Sequence, residues 1–289
     1  MIGQLLPLER IASALPSLVA ALGDNSRDAA AAIMTTDTFA KETAVEFHVG
    51  GRIARIGGIA KGSGMIHPNM ATMLAFITTD AAISPAMLSE ALGMCVALTF
   101  NMISVDGDTS TNDAVIVMAN GLAENAEIDA AGADFDAFAA ALLEICTRLS
   151  RSIIRDGEGA TKFLECSVTG AANPEAAARI AKHIIGSSLV KCAMFGADAN
   201  WGRVISAIGS AGAEVDISKV GISFKSANGE LPVCENGFGL NFSEETAKSV
   251  LSAADILIDV RLGDGEASAS ALGCDLSYDY VKINGDYRS

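Results

Sequence analysis

Hydrophobic and polar positions along the chain follow two different periods, and the pattern changes from one to the other many times. Stretches in which apolar residues recur every three or four positions predict amphipathic helices. These stretches lie at residues 8–22, 85–102, 134–154, 174–186 and 200–209, and one more begins after Ser243. Pro16 is expected to break the first stretch into two short helices, because proline lacks the N–H that a helix interior needs.

Other stretches alternate apolar and polar residues with a period of two, which is typical of strands. They lie at residues 43–49, 52–60, 72–79, 113–119, 163–169, 188–195 and 256–262, with two short ones around Asn228-Gly229 and extended segments at 265–272 and 275–283. Gly50-Gly51 separates the first two strands and predicts a hairpin turn. The chain is therefore predicted to be a layered α/β protein with mixed sheets and many antiparallel hairpins.

A run of small and turn-forming residues at 170–174 is the place where the pattern suggests a division of the chain. We expect a first domain at residues 1–170 and a second at 171–289. With 289 residues, half of them hydrophobic, the chain has enough apolar material for one large core or two smaller ones.

The net charge of the chain limits the classes of partner that it is expected to bind. Twenty basic residues stand against 35 acidic ones, which gives a net charge of −15. Such a surface repels phosphate backbones and anionic lipid headgroups, so neither nucleic acid nor a membrane is an expected partner. The longest apolar stretch, at residues 86–105, contains Glu90 and Asn101, and a buried helix explains it better than a membrane span.

Cysteine usage indicates a reducing compartment. The six cysteines lie 20 to 51 residues apart, at positions 95, 146, 166, 192, 234 and 274. No C-x-x-C pair occurs, and several cysteines lie within apolar runs. We expect them to be reduced and buried, which places the protein in the cytoplasm.

The common catalytic motifs are absent or incomplete. The sequence contains three histidines, His48, His67 and His183, and neither G-x-S-x-G nor H-E-x-x-H. A serine hydrolase that depends on histidine and a zinc enzyme are both disfavoured, and no metal is expected. A calcium-loop match at 106–117 and a dinucleotide-motif match at 62–67 each lack residues that their motif requires.

The segment 61–76 is the strongest candidate for chemistry. A glycine-rich turn that contains Pro68 runs directly into an apolar strand, and Thr72 stands at the junction. Taken alone, Thr72 is an ordinary strand residue and Lys61 a solvated charge. The segment, however, resembles the cleavage motif of the ornithine acetyltransferase family, the glutamate N-acetyltransferases of the cyclic arginine pathway. Further blocks resemble this family in the same order, at 34–38, 106–113, 156–162, 200–203 and 278–289.

The resemblance implies a self-cleaving enzyme of the N-terminal nucleophile type, an architecture shared with the DmpA-like aminopeptidases. The chain would break between Ala71 and Thr72. Thr72 would then take the acetyl group from N-acetylornithine and pass it to glutamate in arginine biosynthesis. The freed α-amine of Thr72 would have a pKa of roughly 7.7 to 8, so it can serve as the base for the hydroxyl of the same residue. Two-step transfer predicts ping-pong kinetics.

Six residues match the substrate contacts of the family: Thr35, Lys61, Thr72, Glu158, Asn284 and Ser289. Lys61 is suited to a substrate α-carboxylate and Glu158 to the ammonium group of ornithine. The resemblance further implies that the C-terminal tail of the 171–289 domain reaches the active site in the nucleophile-bearing domain. It implies no cofactor, with acetyl-CoA as a possible alternative acetyl donor. It also implies that the two cleavage products assemble as a heterotetramer.

One departure from the family bears on activity. Family members carry a longer N-terminal segment that ends in a Thr-Gly pair, their oxyanion hole, whereas Met1-Ile2-Gly3 opens this sequence. Loss of an oxyanion donor costs roughly 10²- to 10³-fold in turnover, so we expect the chain as written to be nearly inactive and poorly soluble. Two alternatives stay open: an amidase or aminopeptidase of the same architecture, and an inactive truncated copy.

Overall fold

The computed structural model describes residues 5–67 and 73–286, which form two mixed β-sheets and the helices packed on them. The helices are α1 Leu8–Ala20, α2 Ser26–Ala32, α3 Pro85–Leu98, α4 Ala133–Arg155, α5 Pro174–Gly186, α6 Ser188–Phe195, α7 Trp201–Ser210, α8 Glu244–Leu251 and α9 Tyr278–Asp286. The strands are β1 Lys41–Val49, β2 Arg52–Lys61, β3 Leu74–Thr79, β4 Ile103–Ser104, β5 Ala114–Ala119, β6 Phe163–Ala171, β7 Gly221–Ser226, β8 Gly229–Glu235, β9 Phe238–Gly239, β10 Asp255–Arg261 and β11 Ala267–Cys274. Short 3-10 turns cover Phe100–Met102 and Ile217–Lys219.

The first sheet has the strand order β1-β2-β3-β5. The predicted hairpin between β1 and β2 is confirmed, and Gly50 and Gly51 both adopt positive φ at its turn, as a tight two-residue turn requires. Strand β3 runs antiparallel to β2 and parallel to β5. In this register Lys61 lies opposite Leu74, so the end of β2 and the start of β3 meet at one edge of the sheet.

Helix α4 covers the first sheet with an apolar face. Its buried residues recur at helical spacing through Phe138, Leu142, Ile145, Leu149 and Ile153. The sheet is close to the helix at Gly58, where an added Cβ would lie 3.1 Å from the Leu149 Cδ1 atom. A side chain at this position would therefore push the helix and the sheet apart.

The second sheet has the strand order β4-β11-β6-β10-β7-β8-β9. Helix α5 packs on β6 and β11, and α8 packs on β7 and β8. Each sheet has its own cluster of buried hydrophobic residues. The division at residue 170 stays a prediction, although β6, which lies largely before that residue, pairs with β10 and β11 from the C-terminal part of the chain.

Two strand predictions were wrong. The segment 188–195 is helix α6, which the Ser187 side chain caps by accepting from the Val190 N–H. A short apolar run does not distinguish a buried strand from a buried helix. The segment 275–283, predicted as extended, instead enters helix α9 at Tyr278.

Two smaller differences concern the first helix and one cysteine. Helix α1 continues through Pro16 without a break. It has no buried residue, so water can solvate the carbonyl that loses its N–H partner to the proline. Cys192 is exposed, contrary to prediction, whereas the other five cysteines are buried and all six are free thiols. Within residues 5–67 and 73–286, none of the helices has the length and apolar character to cross a bilayer.

Candidate active site

Three segments that are distant in sequence converge beside the edge where β2 ends. They are the loop before β1 at residues 35–38, the turn after β2 at 61–64, and the turn after α4 at 156–159. Each carries a residue that the sequence predicted for substrate binding: Thr35, Lys61 and Glu158. Three of the residues that connect these segments, Asp37, Ser63 and Asp156, are buried.

A buried ion triad holds these segments together. The Lys41 Nζ atom lies 2.6 Å from the Asp37 Oδ1 atom and 2.6 Å from the Asp156 Oδ2 atom, and all three side chains are almost completely excluded from water. Asp156 also accepts from the Thr38 backbone N–H and from the Thr38 hydroxyl. A buried charge is tolerated only when it is paired and hydrogen-bonded, and both carboxylates meet this condition.

Asp37 extends the triad to Thr35, a predicted substrate-binding residue, and to Gly62, which follows the predicted residue Lys61. Its Oδ2 atom accepts from the Thr35 N–H at 3.1 Å, and its Oδ1 atom accepts from the Gly62 N–H at 2.8 Å. Burial works to raise the pKa of Asp37, but the Gly62 N–H, Lys41 and the Thr35 N–H together outweigh burial and lower that pKa. The carboxylate therefore stays ionised at neutral pH and positions the backbone on both sides of the site.

Ser63 joins the same segments by a second route. Its hydroxyl lies 2.7 Å from the Thr36 hydroxyl, and its carbonyl accepts from the Glu158 N–H at 2.9 Å. The neighbouring Gly64 lies against the Glu158 carboxylate, where an added Cβ would come within 2.3 Å. A larger residue at position 64 would displace the Glu158 carboxylate, so the glycine fixes where this carboxylate lies.

Helix α9 brings the C-terminal part of the chain to the site. The Asn284 side-chain amide donates to the Glu158 Oε2 atom at 2.8 Å. The helix is anchored at its start, where the Ser277 hydroxyl donates to the Gly159 carbonyl. Gly159 has a φ of +67°, and an added Cβ would lie 2.4 Å from the Tyr280 nitrogen. Only glycine tolerates both the positive φ and the close contact with Tyr280 at this position.

Asp106 positions the turn that leads toward residue 72. Its carboxylate accepts from the Met65 N–H at 2.6 Å and from the Ile66 N–H at 3.0 Å. The Tyr280 hydroxyl donates to the same carboxylate at 3.2 Å, and Met65 takes a φ of +53° that a residue with a side chain rarely adopts. The turn after β2 is thus held in an unusual conformation from both the 106 loop and α9.

The structure describes four of the six predicted substrate-binding residues. It places Thr35, Lys61, Glu158 and Asn284 on segments that are linked by hydrogen bonds at one site. The predicted cleavage residues Ala71 and Thr72, and the predicted contact Ser289, lie outside the described residues. The roles assigned to all of these residues stay predictions.

The buried triad of Asp37, Lys41 and Asp156 was not predicted from the sequence. The pair Asp37 and Lys41 has the i,i+4 spacing of a helical surface pair, but these residues lie in a loop and at the start of a strand. Asp156 is 115 residues away from Lys41, and no pattern in one sequence connects such positions. One local signal could have indicated the triad. Lys41 is the first residue of β1 and lies on the face of the strand that is buried, which is unusual for a lysine without a partner.

The model of the ArgJ family matches residues 1–289. The chain belongs to the ArgJ family. It is 51% identical over 290 residues to the arginine biosynthesis bifunctional protein ArgJ of Caldanaerobacter subterraneus, an alignment that covers 100% of this chain and 72% of the relative. It is 49% identical over 292 residues to the protein of the same name from Geobacillus kaustophilus. This alignment covers 100% of this chain and 70% of that relative.

A solved structure supports the fold. The crystal structure of arginine biosynthesis bifunctional protein ArgJ from Bacillus halodurans aligns with a TM-score of 0.71 at 48% sequence identity, over 75% of this chain and 100% of that one. The predicted fold class, an α/β protein with mixed sheets, is confirmed. The prediction of an acetyltransferase of arginine biosynthesis is likewise confirmed at the level of the ArgJ family.

Proposed function

We propose that the chain cleaves itself between Ala71 and Thr72 and then moves the acetyl group of N-acetylornithine to glutamate through an acetyl-Thr72 intermediate. The observation that carries this proposal is the convergence of Lys61, Glu158 and Asn284 beside the edge where β2 ends and β3 begins. Met73 is the residue that precedes β3, so residue 72 is attached covalently to this edge.

The self-cleavage step requires only the hydroxyl of Thr72 and water. The hydroxyl oxygen attacks the Ala71 carbonyl carbon, the peptide nitrogen takes the hydroxyl proton and leaves as an amine, and an ester between Ala71 and the Thr72 side chain results. Water then hydrolyses the ester, which gives a carboxylate at Ala71 and a free amine at Thr72.

The transfer reaction then proceeds in two balanced steps. The Thr72 hydroxyl oxygen attacks the acetyl carbon of N-acetylornithine, and its proton passes through the α-amine to the departing nitrogen of ornithine. In the second step the amine of glutamate attacks the acetyl carbon, the bond to the threonine oxygen breaks, and the proton returns to that oxygen. The freed α-amine is the base in both steps, which is why no histidine is needed.

The charged residues of the site suit these two substrates. Lys61 is a buried cation that can bind the α-carboxylate common to both. Glu158 is a half-buried carboxylate that suits the ammonium group of ornithine, and Asn284 fixes its orientation. Asp37 and Ser63 hold the backbone beside these two groups, so little ordering is needed when a substrate binds.

The share of this chain that aligns with a solved relative supports cleavage at this position. Residues 72–289 make up 218 of the 289 residues, or 75% of the chain. The solved Bacillus halodurans chain aligns over its whole length with 75% of this chain. This is the share expected of a chain that begins at the residue equivalent to Thr72.

The test is to express the protein from its complete gene, to incubate it with N-acetylornithine with and without glutamate, and to separate the products. We expect N-acetylglutamate and ornithine only when glutamate is present. The alternative, an amidase or aminopeptidase of the same architecture, predicts free acetate whether or not glutamate is added. That result would replace the transferase proposal with the hydrolase, and no observation on this structure favours it.

Replacing Glu158 with glutamine tests the role of the carboxylate. The amide keeps the shape and can still accept from Asn284, but it loses the charge that attracts the ornithine ammonium group. We expect the KM for N-acetylornithine to rise roughly ten-fold, with a smaller change in the KM for glutamate. Steady-state kinetics with each substrate varied in turn measure both constants, and Glu165→Gln is the matched control on a partly exposed residue of β6. Equal KM values for the variant and the unmodified protein would remove Glu158 from substrate binding.

The remaining expectations are part of the same proposal. The two cleavage products stay associated, and pairs of them form a heterotetramer in the cytoplasm. The reaction uses no cofactor, and acetyl-CoA is a candidate second donor of the acetyl group. Size-exclusion chromatography with light scattering tests the assembly, and acetyl-CoA in place of N-acetylornithine tests the second donor.

A further inference from the structure

Asp275 is a buried carboxylate that follows β11 and binds the turn that carries Glu158. Its Oδ1 atom accepts from the Thr161 N–H at 2.8 Å and from the Lys162 N–H at 2.9 Å, and its Oδ2 atom accepts from the Thr161 hydroxyl. Its own N–H donates to the Lys162 carbonyl at 3.3 Å. The side chain is almost completely excluded from water, and the three donors stabilise a charge that burial alone would make costly.

Lys162 extends this contact to helix α6. Its ammonium group donates to the Met194 carbonyl and, at 3.4 Å, to the Phe195 carbonyl, which lie at the end of that helix. A cation is favourable there because the last carbonyls of a helix carry partial negative charge. The ammonium group is also close to Asp275, since burial lowers the pKa of Lys162 while the Asp275 charge works to raise it. The turn after α4 is therefore joined both to the end of β11 and to α6.

The same turn packs closely against the segment that follows β11. An added Cβ at Gly157 would lie 2.9 Å from the Cys274 Sγ atom, and one at Gly159 would lie closer still to the Tyr280 nitrogen. Neither position has room for a side chain, so the turn cannot move toward this segment. The hydrogen bonds of Asp275 oppose movement in the other direction.

We propose that Asp275 is a positioning residue for the acetyl donor and that it acts through Glu158. It fixes the turn from which the Glu158 side chain extends, and Asn284 holds the carboxylate itself. Helix α9, which carries Asn284, begins three residues after Asp275, so one anchor serves both members of the pair. This inference rests on the proposed function, because it takes the ornithine ammonium group as the partner of Glu158. A carboxylate that is held in place beforehand loses little freedom when the substrate binds.

The two substrates differ in the group at the end of the side chain, and this difference makes an effect through Glu158 recognisable. Ornithine ends in an ammonium group, which the Glu158 carboxylate attracts, and glutamate ends in a carboxylate, which it repels. A poorly positioned Glu158 therefore weakens the binding of the donor and does not weaken the binding of glutamate. A general loss of structure would weaken the binding of both substrates.

The experiment is a double-mutant cycle with Asp275→Ala and Glu158→Gln, in protein expressed from its complete gene. We expect Asp275→Ala alone to raise the KM for N-acetylornithine roughly five-fold or more, with little change in the KM for glutamate. Added to Glu158→Gln, the same substitution should raise the KM for N-acetylornithine by at most about two-fold, because the charge that it positions is already absent.

Two further variants serve as controls for Asp275→Ala. Asp275→Asn should restore most of the donor affinity, because the amide oxygen can accept from both N–H groups and the amide N–H can donate to the Thr161 hydroxyl. Asp279→Ala removes an exposed carboxylate from the first turn of α9 and should change neither KM. If Asp275→Ala does not fold, Thr161→Val decides the matter. It removes one of the three donors and should show the same preference for the donor substrate at a smaller size.

The outcomes separate this inference from the proposed function. Equal rises in the two KM values would overturn the inference alone, provided that the unmodified protein transfers acetyl groups. So would a rise in the donor KM that is as large in the Glu158→Gln background as in the unmodified protein. Absence of acetyl transfer by the unmodified protein would overturn the proposed function, and the inference with it.

Discussion

Replacing Thr72 with alanine is expected to leave the chain unbroken and to reduce acetyl transfer by about 10⁴-fold or more. Alanine has no hydroxyl group, so it cannot attack the Ala71 carbonyl. The acetyl-enzyme intermediate cannot form either. The effect is larger than that of any other substitution in the site, because the same oxygen serves both reactions. A denaturing gel measures the cleavage, and chromatographic detection of N-acetylglutamate measures the transfer.

Two further variants show whether the effect belongs to residue 72. Thr72→Ser keeps the hydroxyl group and should still be cleaved, but more slowly, since serine lacks the β-branch that restricts χ1. Thr78→Ala removes an exposed hydroxyl from strand β3 and should behave as the unmodified protein. If Thr72→Ala were cleaved and active, the nucleophile would have to be another residue.

Replacing Lys41 with methionine is expected to destabilise the fold by about 3 to 5 kcal/mol. The apolar stem of the side chain is retained, but Asp37 and Asp156 are left as buried carboxylates without their shared cation. Because these carboxylates also position Thr35, Thr38 and Gly62, acetyl transfer should fall together with stability. Urea denaturation at neutral pH measures the free energy of unfolding.

The pH dependence identifies the cause of this loss. In the unmodified protein the pKa of Asp37 is lowered below its ordinary value of 3.8, so its contribution to stability is present above that value and is lost as the pH falls through the lowered pKa. In Lys41→Met the carboxylates are better tolerated once protonated, so the difference between the two proteins should shrink toward acid pH. Lys219→Met is the control. Lys219 is half-exposed in its pairs with Asp216 and Asp264, so this substitution should change the free energy of unfolding little. A difference that is constant with pH would mean that packing, not charge, explains the loss.

Local sequence signals predicted most of the elements correctly, and the errors have a common origin. Gly50-Gly51 predicted the first hairpin, and the helical period at 174–186 predicted α5, because both signals act between near neighbours in the chain. The errors at 188–195 and 275–283 arose where tertiary packing decides the conformation. Helix α6 buries Val190, Lys191, Ala193 and Met194 on several sides, so it lacks the one-sided periodicity of a surface helix.

The candidate site was predicted from resemblance rather than from pattern. Nothing in the composition or spacing distinguishes Thr35 or Asn284 from other polar residues. The groups that hold the site together, Lys41 and Asp156, were not predicted, because their contact joins positions 115 residues apart.

The most direct test of the account is the mass spectrum of the purified protein, measured together with its transfer activity. Cleavage before Thr72 predicts fragments of 71 and 218 residues, which together make up the 289 of the chain, and an N-terminal sequence of Thr-Met-Leu for the larger one. An unbroken chain that still transfers acetyl groups from N-acetylornithine to glutamate at full rate would contradict the account.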